Sequence, residues 1–286
     1  MKSRLITAAV ALPVLIASVI VKPLWPLFVA LAMAAIVIAL YEFWFLCRRV
    51  GARPDVVVGY AAVAALFVTF FYNWIEFLYW IVPVFIVAAL VAEMLRGAPF
   101  DKMVLSVGST VLGVLYVAFL GAHLIGVRTG FDTPGRQPET FWVGDAYLSH
   151  TLSTHLLSFF FLVLMGSDTG AYYTGRALGR HKLAPTVSPG KTWEGAAGGM
   201  AASLAAAALC HYWFFPELSL PAALALAALM NVLGVVGDLT ESALKRGANA
   251  KDAAQILPGH GGLLDRLDSL LFNAPLLYYF ALYYWR

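Results

Sequence analysis

Charge is scarce in this sequence of 286 residues: Asp, Glu, Lys and Arg together make up 12%, against ~25% in ordinary soluble domains. With 61% of residues hydrophobic, that shortage excludes a water-soluble globule. Cysteine is nearly missing. Cys47 and Cys210 cannot build a disulfide framework, and the topology derived below sets them at opposite membrane faces, so both are expected to stay unpaired. No internal repeat and no low-complexity linker interrupts the chain, and a net charge of +3 gives no reason to expect a nucleic-acid partner. Hydrolase signatures are absent as well: there is neither a Gly-x-Ser-x-Gly elbow nor a His-Glu-x-x-His zinc helix.

What is abundant is long apolar sequence. A membrane span takes roughly 20 apolar residues, and nine stretches qualify: 5–21, 24–46, 56–72, 77–95, 103–127, 152–172, 196–215, 218–236 and 267–284. The expected fold is therefore all-α, one polytopic membrane domain over 1–286 with about nine transmembrane helices. The first stretch follows Lys2 and Arg4 but has no small-residue cleavage site, so it is expected to remain as a signal anchor. Sorting Lys and Arg by alternate loops puts fifteen of the nineteen on one side and leaves Lys22, Arg128, Arg136 and Arg286 on the other. Positive charge marks the cytoplasmic side, which predicts a cytoplasmic N-terminus. Aromatic clusters such as Tyr72, Trp74, Tyr79 and Trp80 read as an interfacial belt. The one long external connection, about 128–151, carries no readable function.

Polar residues change in density along the chain. Residues 1–150 are N-terminal spans with isolated charges, whereas 151–286 hold three polar strings, all assigned to the cytoplasmic face. The first, Gly166-Ser167-Asp168-Thr169-Gly170-Ala171-Tyr172, puts a carboxylate near hydrocarbon, which is costly unless Asp168 faces a polar cavity or a cation. A capping Asp at a helix end is the plainer alternative. The second, Ser188-Pro189-Gly190-Lys191-Thr192-Trp193-Glu194-Gly195, imitates a phosphate loop, but Pro185 stands where that motif needs glycine. What remains is a turn that brings Lys191 and backbone N–H groups to a helix N-terminus, a setting suited to phosphate.

The third string runs Gly237-Asp238-Leu239-Thr240-Glu241-Ser242-Ala243-Leu244-Lys245-Arg246, then Lys251-Asp252, then Leu257-Pro258-Gly259-His260-Gly261-Gly262-Leu263-Leu264-Asp265-Arg266-Leu267-Asp268. Asp265 and Asp268 at i, i+3 share one helix face. With Asp238 they make a candidate hard-oxygen site for Mg²⁺, which keeps waters and binds substrate phosphates. Carboxylates beside Lys and Arg, without an activated side-chain nucleophile, suit phosphoryl or nucleotidyl transfer.

The third string resembles the signature of the phosphatidate cytidylyltransferases, or CDP-diacylglycerol synthases, and the other two strings are similar to that family's. The resemblance covers roughly 166–270; residues 1–150 resemble the family only as apolar spans. It implies an integral membrane enzyme joining CTP and phosphatidic acid into CDP-diacylglycerol and pyrophosphate, with divalent metal and a homodimer in the bilayer. It also implies metal binding by Asp238, Asp265 and Asp268, and the charge sorting puts that site at the cytoplasmic face of the cytoplasmic (inner) membrane. Lys245 and Arg246 join those three as catalytic candidates. Substrate contacts are expected from Asp168, Ser188, Lys191, Thr192, Glu194, Lys251, Asp252, His260, Gly261, Gly262 and Arg266, and the cofactor is one Mg²⁺ or two cations. Two rivals remain. A CTP-dependent polyprenol or phytol kinase needs similar parts plus a base for the alcohol. An ion-coupled transporter would show inverted repeats and midplane acids, neither of which is visible.

Overall fold

The computed structural model describes residues 2–98, 100–131, 141–143, 146–148, 152–250, 253 and 262–285. Helix α1 (Lys2–Ile20) is followed by α2 (Trp25–Arg49), α3 (Val56–Phe71) and α4 (Leu78–Leu95). One long helix then runs as α5 (Met103–Gly113), a π-helical turn (Val114–Phe119) and α6 (Leu120–Gly130). Strands β1 (Phe141–Val143) and β2 (Ala146–Leu148) pair antiparallel before α7 (Leu152–Leu178). A second hairpin, β3 (Lys182–Ala184) with β4 (Ser188–Thr192), leads into α8 (Trp193–Trp213), α9 (Leu220–Gly247) and α10 (Leu264–Tyr284).

Each of the nine apolar stretches falls on one of these helical segments. Among the described residues, five are long and apolar enough to cross a membrane: Lys22–Arg49, Ile75–Leu95, Met103–Gly130, Leu152–Leu178 and Leu220–Gly247. The two hairpins are a departure from a purely helical reading, and the Ser188–Thr192 segment is a strand where a turn was expected. Helices α7 and α9 also outrun their apolar stretches by several residues. The string 166–172 thus lies within α7, and the string 237–246 is a helical extension of α9.

Starts are set locally. The Asp55 side chain accepts from the Val58 N–H at 2.9 Å to cap α3, and prolines sit in the first turns of α2 and α9, where a missing N–H does no harm. Small residues then bring α7 against α8: a Cβ at Gly170 would stand 2.5 Å from the Ala202 methyl and 2.7 Å from the Gly198 carbonyl oxygen. Between membrane helices, where the hydrophobic effect gives no preference for protein over lipid, such close approach is a main source of association.

Two apolar cores result. One gathers α2, α3 and the α5–α6 helix around Leu40, Phe43, Trp44, Leu66 and Phe70, and takes in Ala253, Leu264 and Leu271 from the far end of the chain. The other joins α1 and α6 to α7–α10 around Leu156, Phe159, Phe160, Met230 and Leu277. Helix α10 contributes to both.

Candidate active site

The cytoplasm-assigned ends of α7, α9 and α10, with β4 and the start of α8, enclose a cavity of about 770 Å³. Helix α7 lines it with Asp168, Tyr172 and Arg176, β4 and the α8 start with Gly190, Lys191 and Thr192, α9 with Asp238, and α10 with Asp265, Arg266, Asp268 and Ser269. The i, i+3 spacing read from the sequence thus does aim Asp265 and Asp268 into one space, and Asp238 meets them there.

The approach of α9 to α10 depends on a missing side chain. A Cβ at Gly237 would lie 2.6 Å from the Asp268 carbonyl oxygen, so only glycine lets the backbone beside Asp238 come this near Asp268. Asp238 and Asp168 both act electrostatically on Asp268, and Lys191 opposes them. The Lys191 ammonium is held by Asp238 Oδ2 at 2.5 Å. Two turns back along α9, Asn231 donates to Ser167 Oγ at 2.7 Å and ties α9 to α7.

Asp265 is differently placed from its neighbours. Its Oδ1 accepts from Lys245 Nζ at 2.7 Å and its Oδ2 from the Gly262 N–H at 2.9 Å. Lys245 also pairs with Glu241 Oε2 at 2.5 Å, one turn back on α9. Lys245, a catalytic candidate from the sequence, is therefore an ammonium bridge between two carboxylates, one of which, Glu241, is buried with 1% exposure. Arg246 points the other way, donating to the Ala250 carbonyl at 3.3 Å beyond the end of α9, as basic residues at helix C-termini commonly do. It is not among the lining residues of the cavity.

The second string also spends its polar groups on structure. Thr192 Oγ accepts from the Gly195 N–H at 3.1 Å and caps α8, so that one N–H is taken. Glu194 accepts from the His181 ring at 2.6 Å and from the backbone N–H groups of Arg180 and His181, fastening the hairpin. The His181 hydrogen bond, helped by these N–H groups, holds its carboxyl well down, to about 2. Ser188 pairs with Ala184 in the hairpin and, like Glu194, does not line the cavity. Gly262 is buried at the foot of α10. Lys251, Asp252, His260 and Gly261 lie outside the described residues.

Several residues near the site carried no sequence signal. Arg176 lines the cavity and donates to the Tyr172 hydroxyl at 3.1 Å, though it had counted only as positive loop charge. Tyr116, on the π-helical turn, lies within electrostatic range of Glu241 and Asp268, and its buried hydroxyl has no hydrogen-bond partner among the described residues. π-turns often mark functional positions, but nothing in the local sequence announces one here. Glu42, in the first half of the chain, reaches the backbone of α10.

A divalent cation fits this donor set in one respect and not in another. Among the described residues no group of three His, Cys, Asp or Glu stands close enough together to hold a metal. Mg²⁺, however, commonly takes one or two carboxylates and completes its shell with water and substrate phosphate. The cavity supplies such hard oxygens. It also sets four carboxylates against three cationic side chains, Arg176, Lys191 and Arg266, a balance that cannot by itself neutralise phosphorylated ligands.

Apolar helices with a polar cavity at their ends define an integral membrane protein of the helical class. The chain belongs to the cytidylyltransferase family, whose model matches residues 2–284. It is 35% identical over 204 residues to a phosphatidate cytidylyltransferase of Synechocystis, covering 68% of each chain. Phosphatidate cytidylyltransferases of Staphylococcus saprophyticus and Bacillus subtilis are 44% identical over 137 residues and 46% over 120. Those two alignments cover 47% and 41% of this chain, and 53% and 44% of the relatives. Against these, the chain spans about half the length of the curated relatives it matches.

Proposed function

We propose that this protein is a phosphatidate cytidylyltransferase, which transfers CMP from CTP to phosphatidic acid and releases pyrophosphate. The observation that carries this is the convergence of Asp168, Lys191, Asp238 and Asp268, from separate stretches of chain, on one cavity in a member of the cytidylyltransferase family. A phosphate oxygen of phosphatidic acid attacks the α-phosphorus of CTP, one P–O bond forms, and the bond to the β-phosphate breaks in line. The attacking phosphate is largely ionised near neutrality, since the second pKa of a phosphate monoester is ~6. No general base is then required.

The remaining difficulty is repulsion between two polyanions. Lys191, steered by Asp238, and Arg266 and Arg176 bind and orient the phosphates, a positioning role that can account for a large part of the barrier. Asp238 and Asp268, with Asp265 beside them, are the residues that would hold Mg²⁺, which when bound neutralises phosphate charge and polarises the leaving group. Asp265, through Lys245, also locks the start of α10 to the end of α9. The reading extends to nine spans, a cytoplasmic N-terminus, a site facing the cytoplasm across the inner membrane, and a homodimer. The charge sorting supports the first three; mass measurement in nanodiscs checks the fourth.

The test is incubation of purified protein with CTP, phosphatidic acid and Mg²⁺. Label from the α-phosphate should enter the lipid and pyrophosphate should appear in equal amount. Transfer of the γ-label instead would make it a kinase and overturn the proposal.

A further inference from the structure

Helix α10 carries Asp265, Arg266 and Asp268 into the cavity, yet it lacks a cap of its own. Its N-cap position is Leu263, which offers no side-chain acceptor. The first N–H groups of a helix are left without internal partners, and here they are buried, Leu264 with 0% exposure. The acceptor arrives from 221 residues away. Glu42 Oε1 accepts from the Leu263 N–H at 3.0 Å and Oε2 from the Leu264 N–H at 2.7 Å. Both carboxylate oxygens are thus used, on two successive N–H groups.

Glu42 sits in α2 between Leu40 and Phe43, with 0% exposure, in a stretch apolar enough to span the membrane. An ionisable residue in such a place marks function by default and should have a nameable partner. Its partner is the positive end of α10, where a carboxylate is electrostatically favoured. Asp265 reaches the same helix end through the Gly262 N–H, so a carboxylate from each half of the chain holds the first turn.

We infer that Glu42 is a positioning residue for the proposed nucleotidyl transfer: its two hydrogen bonds fix the height and rotation of the first turn of α10, and so keep Arg266 and Asp268 directed into the cavity. This rests on the function proposed above. It also gives the N-terminal spans a share in the site, which their sequence did not suggest.

Glu42→Gln keeps the shape of the side chain but turns an NH₂ toward a backbone N–H, so that one of the two bonds fails. Expected in detergent-solubilised full-length protein is a fall in kcat of about tenfold or more, as misplacement of reacting groups by a fraction of an ångström produces. The KM for CTP should change by less than about threefold, and the melting temperature should stay within a few degrees of wild type. Glu42→Asp, which restores the charge, should recover part of kcat. Amide exchange at Leu263 and Leu264, read by mass spectrometry, should speed up in Glu42→Gln. A kcat within twofold of wild type overturns the inference, as does a loss of kcat matched by an equal loss of folded protein. Failure of the function itself looks different: the wild-type protein would then make no lipid-linked CMP, while the exchange difference at Leu263 and Leu264 would persist.

Discussion

Replacing Gly237 by Ala tests whether the spacing of two helices controls the chemistry. The added methyl would stand 2.6 Å from the Asp268 carbonyl oxygen and 3.1 Å from Phe272 Cδ2, whereas a relaxed carbon-to-oxygen contact is about 3.3–3.6 Å. Helices α9 and α10 must therefore part by roughly 0.7–1 Å, and Asp238 moves away from Asp268 by a similar amount. Overpacking costs about 1–3 kcal/mol, but Ala gains about 1 kcal/mol over Gly inside a helix, so the net loss of stability is small. The rate is the more sensitive readout, because a displacement of about 1 Å can lower it ~100-fold. Initial rates of lipid-linked CMP formation at saturating CTP should fall by one to two orders of magnitude in G237A. Gly247 lies on the same helix with nothing near its would-be Cβ, so G247A serves as the control and should keep wild-type activity. A G237A enzyme within twofold of wild type would refute the argument from helix spacing.

Asp268→Asn should insert into membranes normally and lose at least about 100-fold in product formation, as expected when a group that acts mainly in the transition state is neutralised; near-normal turnover would remove Asp268 from the reaction. Lys245→Met leaves Glu241 and Asp265 without their shared ammonium, and breaking a buried pair costs about 3–5 kcal/mol, so the melting temperature in detergent should drop by roughly 5 °C or more. EDTA should abolish CMP transfer and Mg²⁺ restore it; activity that survives exhaustive chelation would count against the cation. Glu194 titrates in the folded protein near 2 instead of its usual 4.5, so the stability it lends the β3–β4 hairpin is present above the usual value and lost as pH falls between the two. Fluorescence of the adjoining Trp193 should follow that loss, and Glu194→Gln should lack the transition.

The helices were readable because lipid imposes a length and a composition on each span, so the apolar stretches found their segments to within a turn or two at most ends. The shared cavity was half readable. Spacing alone aligned Asp265 with Asp268, but the meeting with Asp238 depends on Gly237, whose role is visible only against another helix. The bridging of Lys245 could not be told from phosphate binding, since both call for a cation near carboxylates. The capping by Thr192 and the hairpin contacts of Glu194 were not legible because capping and anion binding draw on the same residue types at a helix start. Glu42 was silent for a simpler reason: a lone acid among apolar neighbours does not say which distant backbone it meets.

The membership of α10 in both cores bears on how this protein could be divided or recombined. Composition changes near residue 150, and a fragment starting there would keep all three polar strings. Yet Leu264 and Leu271 would lose their apolar cover, and the leading N–H groups of the helix would lose their acceptor. A chimera that grafts these strings onto foreign spans should accordingly insert yet stay inert unless the graft brings α2 with it.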